Sequence, residues 1–130
     1  MANVLIVDDN SDNVELSAEL LESAGHCITK RFNGEEGLKS LNAGPLPDCV
    51  LLDVDMPVLS GPEMAHRMLL HDAGEESIPI LLVSGRDDLP AVAQRVGTPY
   101  FLRKACPDYG EALLKVLDRA LRERRAPAAA

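Results

Sequence analysis

Short apolar runs alternate with amphipathic helical segments along this chain, and that alternation decides most of what it can fold into. Runs at 3–7, 26–31, 49–52, 78–83 and 100–103 have strand length and lie between turn signals. Residues 11–24 place Val14, Ala18 and Leu21 on one face, with Leu16 and Leu20 beside them. Asp12 followed by Glu15 reads as a capping box and Gly25 as the stop. Asn33 and Glu36 open a second helix through Leu38 and Leu41 to Gly44. After Ser60-Gly61, Pro62 suits the first helical position, and Met64, Met68 and Leu69 form a buried stripe. Asp88 and Pro90 open a very short helix that Gly97 ends. Pro107 and Asp108 open the last, with Leu113, Val116, Leu117, Ala120 and Leu121 on one side. Its final turn carries Arg119, Arg122, Arg124 and Arg125, cations placed at the negative end of a helix dipole.

Strands that alternate strictly with helices pair in parallel, because each crossover returns the chain to the same end of the sheet. Val50-Leu51-Leu52 is apolar without interruption, as a strand covered on both faces must be. Right-handed crossovers leave few arrangements. The expected fold is α/β: a doubly wound, flavodoxin-like, five-stranded parallel sheet of order 2-1-3-4-5, with five helices on two faces. The 130 residues make one domain over 1–125, with 126–130 as a disordered tail.

In such a sheet, ligands bind at the carboxyl ends of the strands, near the switch in strand order. Four of the apolar runs here end on a polar residue: Asp8-Asp9, Asp53, Ser84 and Lys104. Carboxylates on the first and third strands flank the switch and suit a hard divalent cation. Crowded carboxylates repel one another, and a bound cation relieves them. Asp53, on a separate strand from the pair, can face a metal and still leave an oxygen to attack phosphorus. Ser84 can hydrogen-bond a phosphoryl oxygen, and Lys104 can neutralise its charge.

The formal charge of −8 argues against a nucleic-acid surface, and the 3% aromatic content leaves little to stack on bases. Residues 1–60 hold 11 acidic and three basic side chains, so the excess lies in the half that supplies the aspartates. Glu15, Glu19, Glu22, Glu35 and Glu36 read as a solvated acidic face. Cys27, Cys49 and Cys106 are odd in number and lack metal-ligand spacing, which fits a reducing compartment. Cys27 and Cys49 read as small core residues. His26, His66 and His71 read as surface residues without ligand partners. No apolar run reaches the roughly 20 residues of a membrane helix, and no leader is expected before the first strand. The expected location is the cytoplasm.

With the Asp8-Asp9 pair, Asp53 followed by Met56-Pro57 and Gly61, Ser84-Gly85 and Lys104 in this order, the chain resembles the response regulator receiver domain of two-component signalling, in its single-domain, chemotaxis-regulator-like form. The resemblance covers residues 3 to about 122. It implies that Asp53 accepts a phosphoryl group from a histidine kinase or histidine phosphotransfer protein. It implies Mg2+, or Mn2+ in its place, held by Asp9, Asp53 and the backbone carbonyl of Asp55, with Asp8 acting through water. Ser84 takes the place of the switch hydroxyl and Phe101 that of the switch aromatic, unless Phe101 is plain core. Asp55 and Arg86 stand where the family tunes dephosphorylation, and an ion pair between them across the site mouth would restrict attacking water. No output domain or nucleotide motif is expected to follow. The chain is therefore expected to act on no separate substrate and to signal through its fourth and fifth strand–helix units to a target protein, without nucleic acid or membrane.

The chain departs from the family pattern in two places. Ala105 follows Lys104 where the family has a proline joined by a cis peptide. The bond is then trans with a reshaped loop, or cis at about 2.5–4 kcal/mol. The segment between Ser84 and Lys104 is short, so the fourth helix should be stunted or displaced. Two rival readings stand beside the resemblance. One is a receiver-shaped binding module that is never phosphorylated. The other is a haloacid-dehalogenase-like phosphatase, echoed by Asp53-Val54-Asp55 but without room for a cap domain.

Overall fold

The computed structural model describes residues 2–43, 45–56, 59–71 and 78–125. Gly44, Pro57 and the tail 126–130 lie outside the described residues, as do the side chains of Met68, Leu69, His71, Arg124 and Arg125. The elements run β1 (Asn3–Val7), α1 (Ser11–Ser23), β2 (Cys27–Arg31), α2 (Gly34–Ala43), β3 (Cys49–Asp53), α3 (Gly61–His71), β4 (Ile80–Ser84), α4 (Leu89–Val96), β5 (Tyr100–Arg103) and α5 (Tyr109–Arg125). All pairings are parallel and the sheet order is β2-β1-β3-β4-β5, the doubly wound order expected.

Alternate residues of each strand face opposite layers, and the core divides accordingly. Val4, Ile6, Leu51, Leu81 and Val83 pack with Val14, Ala18 and Leu21 of α1 and Leu113 and Leu117 of α5. Leu5, Val7, Val50, Leu52 and Leu82 pack with Met64 and Ala65 of α3 and Leu89, Val92 and Ala93 of α4. Every residue of β3 and β4 is buried, which is why those runs are apolar throughout. The edge strand β2 is half exposed, and Cys27, at its start, is exposed rather than a core residue. Cys49, on β3, is buried as expected. His26 is half-buried and its Nδ1 accepts the Ala2 backbone N–H at 3.1 Å, so it is a partnered residue.

The helix starts show which polar residues act as caps. Asn33 accepts the Glu36 N–H at 2.8 Å, as the second capping signature requires, while the Glu36 carboxylate accepts the Phe32 N–H rather than that of the cap residue. For α1 the cap is Asn10, whose side chain accepts from Asp12 and Asn13 N–H at 2.9 and 3.2 Å, rather than the Asp12–Glu15 box. Asn10 stands in extended backbone directly before the first helical residue, the position from which a side-chain oxygen can reach those donors. The fourth helix is indeed short, at 8 residues, and Gly97 closes it in the left-handed conformation at φ 92°.

Register aligns the strand ends. Val7 pairs with Leu52, Asp53 with Val83 and Ser84 with Arg103. Asp8, Asp53, Ser84 and Lys104 therefore stand within about one residue of a common level, at the edge where β1 and β3 flank the change in strand order.

Candidate functional site

Asp8, directly after β1, is 6% exposed. One carboxylate oxygen accepts the Asn10 backbone N–H at 2.9 Å and the other lies 3.1 Å from Lys104 Nζ. Asn10 also caps α1, so the turn from β1 into α1 is folded around the Asp8 carboxylate. Asp9 is exposed. Asp53 closes β3 at 4% exposure, and its Oδ1 also lies 3.1 Å from Lys104 Nζ. The residue after it, Val54, is held by Gly61, whose N–H donates to the Val54 carbonyl at 2.9 Å. A Cβ at Gly61 would fall 2.2 Å from the Asp53 carbonyl oxygen, so this position requires glycine.

One ammonium thus bridges two buried carboxylates. Lys104 is set by its own backbone N–H, which donates to the Ser84 carbonyl at 3.0 Å. No described peptide bond is cis, so Ala105 follows Lys104 through a trans bond, and the ammonium still reaches both aspartates. Ser84 is buried, and its hydroxyl oxygen accepts the Arg86 N–H at 3.1 Å. Carboxylate oxygens of Asp8, Asp9 and Asp53 lie within 4.8 Å of one another. Burial, and then the Asp8 carboxylate beside it, push the Asp53 carboxyl up to about 6 against the pull of Lys104. Burial opposes the Lys104 charge, yet Asp53 and Asp8 together hold its ammonium above the usual value. Lys104 thus pairs with two of the three clustered carboxylates, a donor set of hard oxygens with room in its charge balance for a divalent ion.

Arg86 joins the segments that follow β4 and β3, with its N–H on Ser84 and its side chain on Asp55. Its Nη1 donates to Asp55 at 3.0 Å, the ion pair expected from sequence. Its Nε and Nη2 grip both oxygens of Asp88 at 2.8 and 3.0 Å. These hydrogen bonds hold the Asp88 carboxyl below its ordinary value and the Arg86 guanidinium above its own. In sequence, Asp88 stands only as a helix opener. The Arg-x-Asp spacing was its one visible signal, and only a loop turning back on itself makes a fork of it. Asp87, between them, pairs with Arg103 at the end of β5. Phe101 is exposed, since β5 alternates and Tyr100 and Leu102 take the buried face; of its two readings, plain core is excluded. A cavity of about 360 Å³ between α3 and α4 is bordered by Asp55, Ser60, His66 and Arg86, but not by Asp8, Asp53 or Lys104. It adjoins the mouth and is separate from the carboxylate cluster.

A family model described as the response regulator receiver domain matches residues 4–117. Protein PilH of Pseudomonas aeruginosa is 35% identical over 123 residues, covering 93% of this chain and 98% of that protein. The transcriptional regulatory protein FixJ of Bradyrhizobium diazoefficiens is 32% identical over 123 residues, but the chain spans only 57% of its length. Among solved structures, the chemotaxis protein CheY4 of Vibrio cholerae superposes with a TM-score of 0.78 at 30% identity, covering 93% of this chain and 99% of that one. The receiver domain of NtrX from Brucella abortus gives 0.80 at 26% identity, over 92% of this chain and 98% of that one.

Proposed function

The chain belongs to the response regulator receiver domain family of two-component signalling, and from that premise we propose that Asp53 is its phosphoacceptor. Receivers work with histidine kinases and downstream effectors, so the donor here is taken to be a phosphohistidine on a kinase or phosphotransfer protein. A carboxylate oxygen of Asp53 bonds to phosphorus as the phosphorus–nitrogen bond of the donor breaks, and the imidazole leaves with the bonding electrons. The observation that carries this reading is the placement of Asp53: nearly buried, within 3.1 Å of Lys104, and beside the Asp8 and Asp9 carboxylates.

The chain's own groups divide the work. Lys104 neutralises charge on the transferred group, and Ser84 turns its hydroxyl toward a phosphoryl oxygen. Asp9, Asp53 and the backbone carbonyl of Asp55 would hold Mg2+, or Mn2+, with Asp8 acting through water; when bound, the ion supplies positive charge to the phosphoryl oxygens. Arg86, tied to Asp55, stands across the approach of water and slows loss of the group. In this reading the chain turns over no separate substrate and catalyses only its own phosphorylation and dephosphorylation. A near-dianionic group at Asp53 draws Ser84 and Lys104 toward it and shifts the surface of β4–α4 and β5–α5, including the exposed Phe101, toward a target protein. No helix among the described residues is long and apolar enough to cross a membrane, and the location taken for the chain is the cytoplasm.

Intact mass spectrometry after incubation with magnesium and acetyl phosphate tests the central step. One added phosphoryl group is expected, absent in Asp53→Asn and blocked by EDTA. No adduct would favour the receiver-shaped module that is never phosphorylated, whereas steady release of phosphate from a small ester would favour the phosphatase.

A further inference from the structure

We propose that Asp88 is a positioning residue for dephosphorylation: it holds Arg86 across the mouth of the Asp53 site and so sets how long the acyl phosphate survives. The proposal rests on the reading that Asp53 carries the phosphoryl group.

Arg86 is held by Asp55, Asp88 and Ser84. Its side chain is about half exposed, and its link to Asp55 is a single hydrogen bond between two exposed groups. An exposed pair of that kind contributes little and holds a long side chain loosely. Asp88 supplies two further bonds, to Nε and Nη2, in the planar fork that fixes orientation as well as position. The Arg86 backbone is fixed separately, by its N–H on Ser84 Oγ. With Asp88 in place, the guanidinium has one orientation across the Asp55 side of the mouth. Without it, one exposed contact would have to keep the guanidinium there.

Asp88 stands at the N-cap of α4, where an aspartate ordinarily accepts a helix N–H. Its side chain makes no such bond; both oxygens are given to Arg86, and Pro90 removes one of the first-turn donors. A structural role in capping therefore does not account for the residue, while an arginine clamp does.

The reaction affected is hydrolysis. A water oxygen bonds to phosphorus, the bond from phosphorus to the Asp53 oxygen breaks, Asp53 leaves as carboxylate, and the water's proton passes to solvent. A guanidinium held over the approach lowers the frequency of productive attack. Loosening it shortens the lifetime.

The test is a double-mutant cycle on the full chain, labelled with acetyl phosphate and magnesium and followed by loss of the phosphoryl mass after quenching the donor. Asp88→Ala is expected to shorten the lifetime about threefold to tenfold, close to the effect of Arg86→Ala. The double variant should be no shorter-lived than Arg86→Ala, because both changes remove one clamp. Asp88→Glu, which keeps a two-oxygen acceptor, should recover most of the lifetime. An unchanged or longer lifetime in Asp88→Ala overturns the proposal, and so does a double variant whose effects multiply, which would mean that Asp88 acts through helix stability. If wild type takes up no phosphoryl group at all, the underlying reading fails and the proposal with it; normal labelling with an unaltered Asp88→Ala lifetime sinks the proposal alone.

Discussion

Asp53 is 4% exposed among like charges, with one shared ammonium, so ionising it costs more than ionising a carboxyl in water. Its folded value of about 6 lies above the 3.8 it returns to on unfolding. The linked stability is present below the lower value and lost as pH rises through the upper one. Urea titrations in EDTA should therefore show Asp53→Asn more stable than wild type at pH 7.5, by about 2 kcal/mol, with the gap closing below pH 5. A variant no more stable at either pH would mean that Lys104 neutralises the site completely. Gly61 poses the opposite problem, one of space. A Cβ there would meet the Asp53 carbonyl at 2.2 Å, so the backbone of Asp53 and Val54 must move to admit one. Gly61→Ala is expected to cost about 1–3 kcal/mol in chemical denaturation and to slow phosphorylation along with it. Asp8, Asp9, Asp53, Ser84 and Lys104 were legible in sequence because each ends an apolar run. Asn10 and Asp88 were not, because their roles depend on which way a short loop turns.

At the level of elements, α4 is the shortest of the described helices. It has 8 residues where α1 has 13 and α5 has 17, and its cap residue gives its side chain to Arg86. Short helices depend on tertiary packing, here Leu89, Val92 and Ala93 against β4 and its neighbours. Native-state hydrogen exchange should find α4 amides opening at lower free energy than those of α5 or β3, by about 2 kcal/mol or more. Equal protection would contradict the idea that this unit is poised to move. Leu52, by contrast, is fully buried in β3 between the two helix layers, and Leu52→Ala should cost about 2–5 kcal/mol in the same denaturation assay. The shortness of α4 could be read from the spacing between Ser84 and Lys104. The exposure of Cys27 could not, because whether a strand lies at an edge depends on the order of the whole sheet.

For the whole molecule, the acidic excess and the site are one problem. The chain carries −8 overall, and three of its carboxylates converge within 4.8 Å. Magnesium at about one hundred times its dissociation constant should raise stability by roughly 2.7 kcal/mol, and Asp9→Ala should remove most of that gain. A thermal shift indifferent to magnesium would count against the metal site. The alternation of apolar runs and helices, written into the sequence, was enough to determine a parallel doubly wound sheet, because periodicity and crossover handedness are local properties of the chain. It also determined that the polar strand ends gather at one edge. What only the tertiary structure decided was the bonding among them: one lysine shared by Asp8 and Asp53 through a trans peptide, and one arginine shared by Asp55 and Asp88. The lysine's partnerships depend on distances between segments far apart in sequence, set by register, and the Arg86–Asp88 fork on the path of one short loop; neither is fixed by hydrophobic periodicity.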